Sequence, residues 1–526
     1  MIDGFGPGSA RIAKTSELPW WHRMAGSLAF CAGGLNVLAF APFGWWPIQI
    51  ASLTALFYLL KKTAGVRRSA LIGWMYGFGW LLFGTCWLYV SLHDYGDLPA
   101  WMTIIAVAGQ ALFLSGLMAA AAGCAAAWRR QWCSPDWIHA LLLLPALYIL
   151  AEWTRAWIFT GFPWISSGYA HNNAPLAGFA PLIGVYGIGM LSAVMAGALV
   201  LLVRHKWLLA LPVCLLVAGS ALHRIDWTKP YGKPITVRLL QANVAQEVKF
   251  NPERVPATLA SYTQLITAAP ADLISTPETA LPLLIGQLPP DFIPRLVAFA
   301  GQSNSQLLIG LPIADSQTRF TNSVIGIGPA GAGNYRYDKH HLVPFGEFIP
   351  SGFRWFIDMM HMPLGDFTRG DAVQLPLAVK DQWVLPNICY EDLFGEEIAG
   401  QLAGTAAQAT LLLNVSNIAW FGNSIALPQH LQISQMRALE TGRPMLRATN
   451  TGATAIIDQK GRVVSQLAPL TQGVLAATVQ GYRGGTPYIA VGNRLIVTLA
   501  LLMLVAGWAV RSKKVDVRKP VAHKTR

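Results

Sequence analysis

The stretch "LPNICYEDLF", Leu385–Phe394, carries β-forming residues up to a cysteine and then turns acidic, as at the start of a helix. Its Cys389 lies apart from the other cysteines, all of which precede residue 220: Cys31, Cys86, Cys124, Cys133 and Cys214. A thiol at a strand-to-helix junction is expected to be reactive, because the helix dipole lowers its pKa. Position alone leaves a buried structural cysteine open as the alternative.

The composition divides the chain into apolar and mixed parts. Of 526 residues, 53% are hydrophobic and 12% charged, which is typical of a membrane protein. The apolar residues concentrate before about residue 223 and again at 495–510, leaving one large domain of mixed composition between them. That domain has 19 basic and 19 acidic residues, so the net charge of +13 belongs to the apolar part. Nucleic acid is therefore not expected as a partner, since it needs basic charge on the binding domain.

Eight apolar segments predict eight membrane spans: 24–42, 47–60, 70–92, 102–128, 138–158, 175–203, 207–222 and 495–510. Basic clusters lie before the first span, after the second, fourth and sixth, and after the last. By the positive-inside rule all of them are cytoplasmic, which makes the two shortest segments spans and puts both termini inside. The predicted organisation is a seven-span region, an extracytoplasmic domain, an eighth helix and a basic cytoplasmic tail, at 1–223, 224–485, 486–512 and 513–526.

The domain after residue 223 alternates short β-rich runs with helical stretches, which predicts layered α/β architecture. The helical stretches lie at 252–268, 290–303 and 425–442. "GIGPAG", 326–331, matches a dinucleotide fingerprint but is followed by a second hairpin arm, so we interpret it as a turn. His340 and His341 would point apart on a strand, and neither a metal site nor a cofactor is expected.

A cysteine nucleophile needs a base and a group that stabilises an oxyanion. Glu278 in "STPETALP" and Lys339 in "YDKHHLVPFGEFIP" each follow a predicted strand, and the second segment also carries Glu347. Taken singly, a residue such as Glu278 is more often a solvated loop acid and one such as Lys339 a solvated lysine at a strand end, so neither alone indicates a site.

Three segments, "PETALP", "DKHHLVPFGEFIP" and "NICYEDLFGEEI", together resemble the signatures of the carbon–nitrogen hydrolase (nitrilase) superfamily. This resemblance implies an αββα nitrilase-like sandwich, here inserted between transmembrane helices 7 and 8 of an eight-helix membrane domain. It further implies a triad in which Glu278 is the base, Lys339 the oxyanion stabiliser and Cys389 the nucleophile.

The spans, "GFPW" before the sixth span and "LVPFGEFIP" resemble a membrane-embedded branch, the apolipoprotein N-acyltransferase family; "NVSNIAWFGNS" and "HLQISQMRALETGRP" extend the match. The resemblance implies transfer of an acyl chain from a membrane phospholipid, through a Cys389 thioester, to the α-amino group of the S-diacylglyceryl cysteine of an apolipoprotein. It also implies a monomer in the bacterial inner membrane with a periplasmic catalytic domain.

The same resemblance assigns supporting roles around the triad. Glu347 is expected to orient Lys339 or share its charge, and Tyr390 and Glu391 to support the nucleophile turn, with simple packing an equal alternative for Tyr390. Trp420 and Phe421 are expected in a loop near the bilayer that contacts lipid or gates substrate.

Three positions depart from the family pattern: Thr276, Phe250 and Ile418 stand where Trp, Trp and Asp are usual. Two other functions stay open from the residues. One is a membrane-tethered amidase or nitrilase, which would have the same triad. The other is a transporter or receptor, which the scarcity of polar residues in the spans disfavours.

Overall fold

Helices make up the chain from residue 25 to residue 222, here called the helical region. The computed structural model describes residues 24–316, 319–349, 367–404 and 406–510. Helices of the helical region are α1 Ala25–Leu35, α2 Pro47–Lys62, α3 Val66–Gly84, α4 Leu88–His93, α5 Ala100–Trp132, α6 Asp136–Arg155, α7 Pro175–Leu201 and α8 Lys206–Leu222.

Among the described residues, three helices are long and apolar enough to cross a membrane: α5, α6 and α7, of 33, 20 and 27 residues. Shorter apolar helices lie at Ala25–Ala39, Lys206–Leu222 and Arg494–Ala509. Every predicted span overlaps a helix, although the span 70–92 is divided between α3 and α4 and α1 ends at Leu35, within the span 24–42. The count of eight crossings stays a prediction. The basic residues before residue 24 and after residue 510, used to orient the chain, lie outside the described residues.

Helix α7 bends at Gly184, whose φ of 64° lies in the left-handed region. A Cβ there would lie 2.3 Å from a ring carbon of Tyr488, so only glycine allows the contact. The freed amide of Val185 donates to Glu440 Oε1 at 2.8 Å. The bend therefore joins the helical region to the part of the chain beyond residue 440.

Glu152 and Arg155, one turn apart near the end of α6, do not form a salt bridge with each other. Glu152 instead accepts from the amide and hydroxyl of Ser167, at 3.1 and 3.0 Å. Arg155 donates to the carbonyls of Phe162 and Trp164, at 2.8 and 2.7 Å. Each charge is thus satisfied by the loop that follows the helix, and neither needs the other.

Two six-stranded mixed sheets make up the part of the chain between residues 228 and 484, here called the sheet domain. One has the order β13-β2-β3-β4-β5-β6 and the other β12-β11-β10-β9-β8-β7. A short ribbon, β1 with β14, closes the domain. The strands are β1 Thr228–Pro230, β2 Ile235–Gln241, β3 Leu273–Ser275, β4 Gln306–Ala314, β5 Phe320–Gly328, β6 Gly331–Asp338, β7 Leu377–Val379, β8 Gln382–Ile388, β9 Leu411–Ser416, β10 Met445–Thr449, β11 Ala455–Ile457, β12 Val463–Gln466, β13 Gly473–Val479 and β14 Tyr482–Gly484.

The two sheets pack face to face through one apolar core, to which Val237 and Val324 contribute from one sheet and Val384 and Leu446 from the other. A second core lies between the first sheet and its helices, and a third between the second sheet and its helices. This is the predicted αββα order of layers. The helices are α9 Gln246–Lys249, α10 Val255–Thr267, α11 Phe292–Ser303, α12 Gly395–Ala403, α13 Ala426–Thr441, α14 Pro487–Val491 and α15 Arg494–Ala509.

Strand direction brings the predicted site residues to one edge. β3 runs parallel to β4, while β5 and then β6 each reverse direction, so β3 and β6 end at the same edge of their sheet. Glu278 follows β3 and Lys339 follows β6. In the other sheet β8 and β9 run parallel, and Cys389 follows β8 directly.

The helical region and the sheet domain share a continuous core. Tyr390, Leu393 and Met436 of the sheet domain belong to the same buried cluster as Trp164 and Tyr186 of the helical region. Helix α13 of the sheet domain packs directly on α7. The edge that carries Cys389 is therefore seated on the apolar helices.

Candidate active site

Glu278 lies in a tight loop after β3 and is 6% exposed. Its Oε1 accepts from Asn322 Nδ2 at 2.7 Å and from Lys339 Nζ at 3.1 Å. Its Oε2 accepts from the backbone N–H of Asn417 at 2.8 Å. Burial acts to raise the pKa of Glu278, but the Lys339 charge and these hydrogen bonds outweigh it and lower the pKa. Glu278 is thus held as an ionised carboxylate.

Lys339 is the first residue after β6 and is 1% exposed. Its Nζ lies 2.9 Å from Glu347 Oε1, so the ammonium sits between two carboxylates. Burial alone would lower its pKa, but Glu278 and Glu347 reverse that effect and raise it. Lys339 therefore carries a permanent positive charge inside the domain.

Glu347 completes a buried polar cluster with Lys339. Its Oε1 also accepts from Asn322 Nδ2 at 2.7 Å, and its Oε2 accepts from the Val343 amide at 2.8 Å. Glu347 lies where the expectation of orienting Lys339 requires it; the role itself stays a prediction.

Cys389 directly follows β8 in a left-handed conformation, with φ of 52°. A non-glycine residue in that region is strained, and such strain is concentrated at functional sites. The side chain is half-buried and packs against the core between the sheets. Its thiol remains partly accessible beside the buried Glu278 and Lys339.

The expected lowering of the thiol pKa is wrong. Burial and the nearby Glu278 carboxylate raise the pKa of Cys389, and the Lys339 charge only partly offsets them. The helix dipole does not act on the thiol because a 3₁₀ turn follows Cys389 and helix α12 begins only at Gly395. At rest the site therefore holds a neutral thiol beside an ionised carboxylate.

The carboxylate of Glu391 holds the turn of the nucleophile. It accepts from the amides of Ile388 and His340, at 2.6 and 2.7 Å, and from the Tyr337 hydroxyl at 3.0 Å. Burial raises the pKa of Glu391 to about 7, against the effect of these amides. Because it bonds both next to Cys389 and next to Lys339, Glu391 fixes the spacing of the two catalytic segments.

A second buried network lies behind the same turn. Asp392 pairs with Arg447 at 3.0 Å, and Ser434 donates to the same carboxylate oxygen. Arg447 also donates to His430 Nδ1 at 3.1 Å. The nucleophile turn is thereby tied to β10 and α13.

The helical region reaches the site through the loop after α6. Tyr390 donates its hydroxyl to the Gly161 carbonyl at 2.7 Å. His341, two residues beyond Lys339, lies between Glu397 Oε1 and the Thr160 carbonyl, each at 2.8 Å. A loop of the helical region is therefore bonded next to both Cys389 and Lys339.

Trp420 and Phe421, predicted to contact lipid or gate substrate, lie on a 3₁₀ turn at Ile418–Phe421. Phe421 contacts the rings of Trp87 and Trp164, with centroids 4.4 and 6.0 Å away. The Trp420 carbonyl accepts from Ser91 at 2.7 Å. Both residues thus contact the helical region, and their part in lipid contact or gating stays a prediction.

Sequence reasoning missed three residues of the site: Asn322, Asn417 and Lys249. Asn322 bridges both carboxylates, and Asn417 binds Glu278 through its amide. Lys249 is buried and donates to the Glu278 carbonyl at 3.4 Å. For Asn322 the available signal was a large polar side chain in a β-rich run, "FTNSVIGIG". In the described ranges, no group of three or more His, Cys, Asp and Glu side chains is placed to hold a metal ion.

Comparison with known proteins decides the family. The apolipoprotein N-acyltransferase of Ralstonia nicotianae is 49% identical over 93% of this chain and 94% of its own length. This chain belongs to the apolipoprotein N-acyltransferase family. Other apolipoprotein N-acyltransferases are similar along nearly their whole length: that of Nitrosomonas europaea is 45% identical over 91% of this chain and 96% of its own. The narrower of the two resemblances in the sequence is therefore confirmed.

The domain matches agree with this assignment. Residues 32–198 match the apolipoprotein N-acyltransferase N-terminal domain, and residues 236–488 match the carbon–nitrogen hydrolase family. The sheet domain therefore has the nitrilase-like fold. Among solved structures, Nit3 of Saccharomyces cerevisiae, a nitrilase-superfamily member, is 15% identical over 48% of this chain and 92% of its own, with a TM-score of 0.37.

Proposed function

We propose that this chain is the N-acyltransferase that moves an acyl chain from a membrane phospholipid, through a thioester on Cys389, to the α-amino group of the S-diacylglyceryl cysteine of an apolipoprotein. The observation that carries the proposal is a partly accessible thiol beside a buried Glu278–Lys339 pair, in a chain of the apolipoprotein N-acyltransferase family. The apolar helices under this edge supply the membrane setting that two lipid-anchored substrates need.

In the first half-reaction Cys389 Sγ attacks the ester carbonyl of the donor. Glu278 removes the thiol proton as the carbon–sulfur bond forms, because the thiol is neutral at rest and the carboxylate is ionised. Lys339 stabilises the tetrahedral oxyanion. When the carbon–oxygen bond breaks, Glu278 returns the proton to the leaving lysophospholipid, and a thioester remains.

In the second half-reaction the free α-amino group of the lipoprotein cysteine attacks the thioester. Glu278 accepts a proton from the amine, Lys339 again stabilises the oxyanion, and the carbon–sulfur bond breaks. The products are an N-acyl amide and the Cys389 thiol, which regains its proton from Glu278. The two substrates thus react in turn at one site, which is a ping-pong mechanism.

The same proposal includes the arrangement in the membrane. Eight spans would place both termini in the cytoplasm and the sheet domain in the periplasm, with the enzyme acting as a monomer in the bacterial inner membrane. Pairing of β1 with β14 supports domain limits near 224 and 485, since it joins Thr228 to Gly484. Helices α8 and α15, which flank the domain, are apolar.

The decisive experiment detects the thioester. Purified protein is incubated with phospholipid in detergent, and the peptide containing Cys389 is examined by mass spectrometry before and after a diacylglyceryl-cysteine peptide is added. We expect an acyl adduct that the peptide discharges, with N-acylated peptide formed in equal amount. The control is Cys389→Ala, which should form no adduct in the same segment.

Two outcomes would overturn the proposal. One is an absence of adduct on Cys389 in the wild-type protein. The other is discharge by water as fast as by the peptide, which would identify a membrane-tethered hydrolase.

A further inference from the structure

Lys249 is a buried cation that the proposed mechanism does not use. It ends the one-turn helix α9 and is 2% exposed. Its Nζ donates to the backbone carbonyl of Glu278 at 3.4 Å, a long hydrogen bond. No carboxylate oxygen in the described part of the chain lies within 4 Å of this ammonium, although buried charges are ordinarily paired.

Lys249 is held in place by its own segment. Gln246, one turn earlier, accepts from Asn417 Nδ2 at 3.0 Å, and the backbone N–H of Asn417 donates to Glu278. The Phe250 ring lies 6.0 Å from the Lys249 ammonium. The charge is thus fixed behind the catalytic base rather than free to reach solvent.

The charge balance of the site shows what this cation can do. Glu278 and Glu347 contribute two negative charges and Lys339 one positive charge, which leaves one excess negative charge. An oxyanion forming at Cys389 would make the excess two, in a buried setting where such repulsion is strong. Within this set of four groups Lys249 balances the excess negative charge, so that only the new charge has to be accommodated.

We propose that Lys249 is a second cationic group of the active site that stabilises negative charge brought to Cys389 by the acyl donor, either the tetrahedral oxyanion or the phosphodiester of the phospholipid. This inference rests on the proposed function for the identity of the donor. The electrostatics agree with it: burial lowers the pKa of Lys249 to about 8, and the negative charges of Glu278 and of an ionised Cys389 act to raise it. The pKa of Lys249 therefore depends on the charge at Cys389.

The first test does not depend on acyl transfer. Cys389 is alkylated in the detergent-solubilised protein with iodoacetate, which is anionic, or iodoacetamide, which is neutral, and the rate at the Cys389 peptide is read by mass spectrometry because the other cysteines also react. In Lys249→Met we expect the ratio of the iodoacetate rate to the iodoacetamide rate to fall about tenfold. Lys380→Met, the same change at an exposed lysine paired with Asp272, should leave the ratio unchanged. A ratio in Lys249→Met within twofold of wild type would overturn the inference.

A loss of fold would not explain the expected result. Both reagents are compared on the same protein, so a general loss of stability would change both alkylation rates alike and leave their ratio unchanged; thermal unfolding of Lys249→Met checks that the variant is folded. The wild-type protein offers an independent test. Its alkylation ratio should fall as Lys249 loses its proton, with a midpoint near pH 8 and apart from the titration of Glu391 at about 7. A wild-type ratio that changes with pH no more than the Lys249→Met ratio does would overturn the inference.

The acylation step then identifies the source of the negative charge. Acyl-Cys389 formation is compared for a phospholipid and for an uncharged p-nitrophenyl ester, in wild type and Lys249→Met. Equal slowing by about tenfold for both donors assigns Lys249 to the oxyanion, and slowing for the phospholipid alone assigns it to the phosphodiester. No slowing with either donor would overturn the inference, whereas normal adduct formation in wild type would leave the proposed function standing.

Discussion

The Tyr390 hydroxyl, one residue beyond the nucleophile, donates to the carbonyl oxygen of Gly161 at 2.7 Å across the boundary between the sheet domain and the helical region. Gly161 has φ of 92°, and a Cβ there would lie 2.0 Å from the Ala156 carbonyl oxygen, so only glycine allows the loop this conformation. The bond thus joins the loop that follows α6 to the turn that carries Cys389. The helical region therefore makes a hydrogen bond to the residue next to Cys389.

Tyr390→Phe tests whether this hydrogen bond positions Cys389. We expect the rate of Cys389 acylation to fall at least fivefold, and the free energy of unfolding by about 1 kcal/mol, because the Gly161 carbonyl loses its buried donor. The matched control is Tyr335→Phe, which removes a hydroxyl bonded to the Leu375 carbonyl at 2.9 Å. Single-turnover acylation and thermal unfolding measure both variants, and equal acylation rates would show that the boundary bond does not position the nucleophile.

Gly310→Ala tests the position of the loop that carries Glu278, the proposed general base. A Cβ at Gly310 would lie 2.3 Å from the Pro277 carbonyl oxygen and 3.1 Å from Glu278 Cα, so the loop must move. Displacement of a catalytic group by about 1 Å costs about 100-fold in rate, and we expect acylation to slow by at least tenfold in a folded protein. Gly286→Ala is the control, since a Cβ there meets no atom within 4 Å. Wild-type acylation in Gly310→Ala would contradict the assigned position of the base.

Asn322→Leu tests the bridge between the two carboxylates. The leucine keeps the size of the side chain but removes the amide that donates 2.7 Å bonds to Glu278 and Glu347. We expect acylation to fall tenfold or more and the free energy of unfolding by about 1–3 kcal/mol, since two buried acceptors lose a donor. Kinetics of thioester formation and chemical unfolding check this. Unchanged stability would show that Lys339 alone satisfies the pair.

The pH dependence of stability tests the ionised state of Glu278. Its pKa in the folded protein is lowered, so its carboxylate stabilises the fold above the ordinary value of about 4.3, and this contribution is lost as pH falls through the folded value. Glu278→Gln should therefore lose less stability than wild type between pH about 5 and about 3. The exposed Glu253→Gln serves as control. Thermal unfolding across this range measures the difference, and identical slopes would contradict a lowered pKa.

The family signatures made much of the fold predictable. Alternation of apolar runs and helical stretches predicted the layers, and "PETALP", "DKHHLVPFGEFIP" and "NICYEDLFGEEI" predicted that Glu278, Lys339 and Cys389 each follow a strand. Strands β6 and β8 end directly before Lys339 and Cys389, and β3 ends three residues before Glu278. Such predictions succeed because strand ends and turn residues are set locally, by neighbours in the sequence.

Other features depended on contacts between distant segments. The thiol pKa was predicted in the wrong direction because the sequence shows a helix start nearby but not the burial or the Glu278 charge that raise it. Asn322 and Lys249 were missed because their role depends on Glu278 and Glu347, which distant segments bring beside them. The partners of Glu152 and Arg155 also depend on tertiary structure, because the loop that follows their helix supplies them.

The sequence by itself determined the apolar helices, the alternation of strands with helices and the three motifs that mark the family. Each of these depends on residue type and on the order of neighbouring residues. Only the tertiary structure decided the charge state of the site and its attachment to the helical region. Electrostatic energies depend on distance and burial, and these are set by packing between segments such as 157–164, 246–250 and 385–394, which meet only in the folded protein.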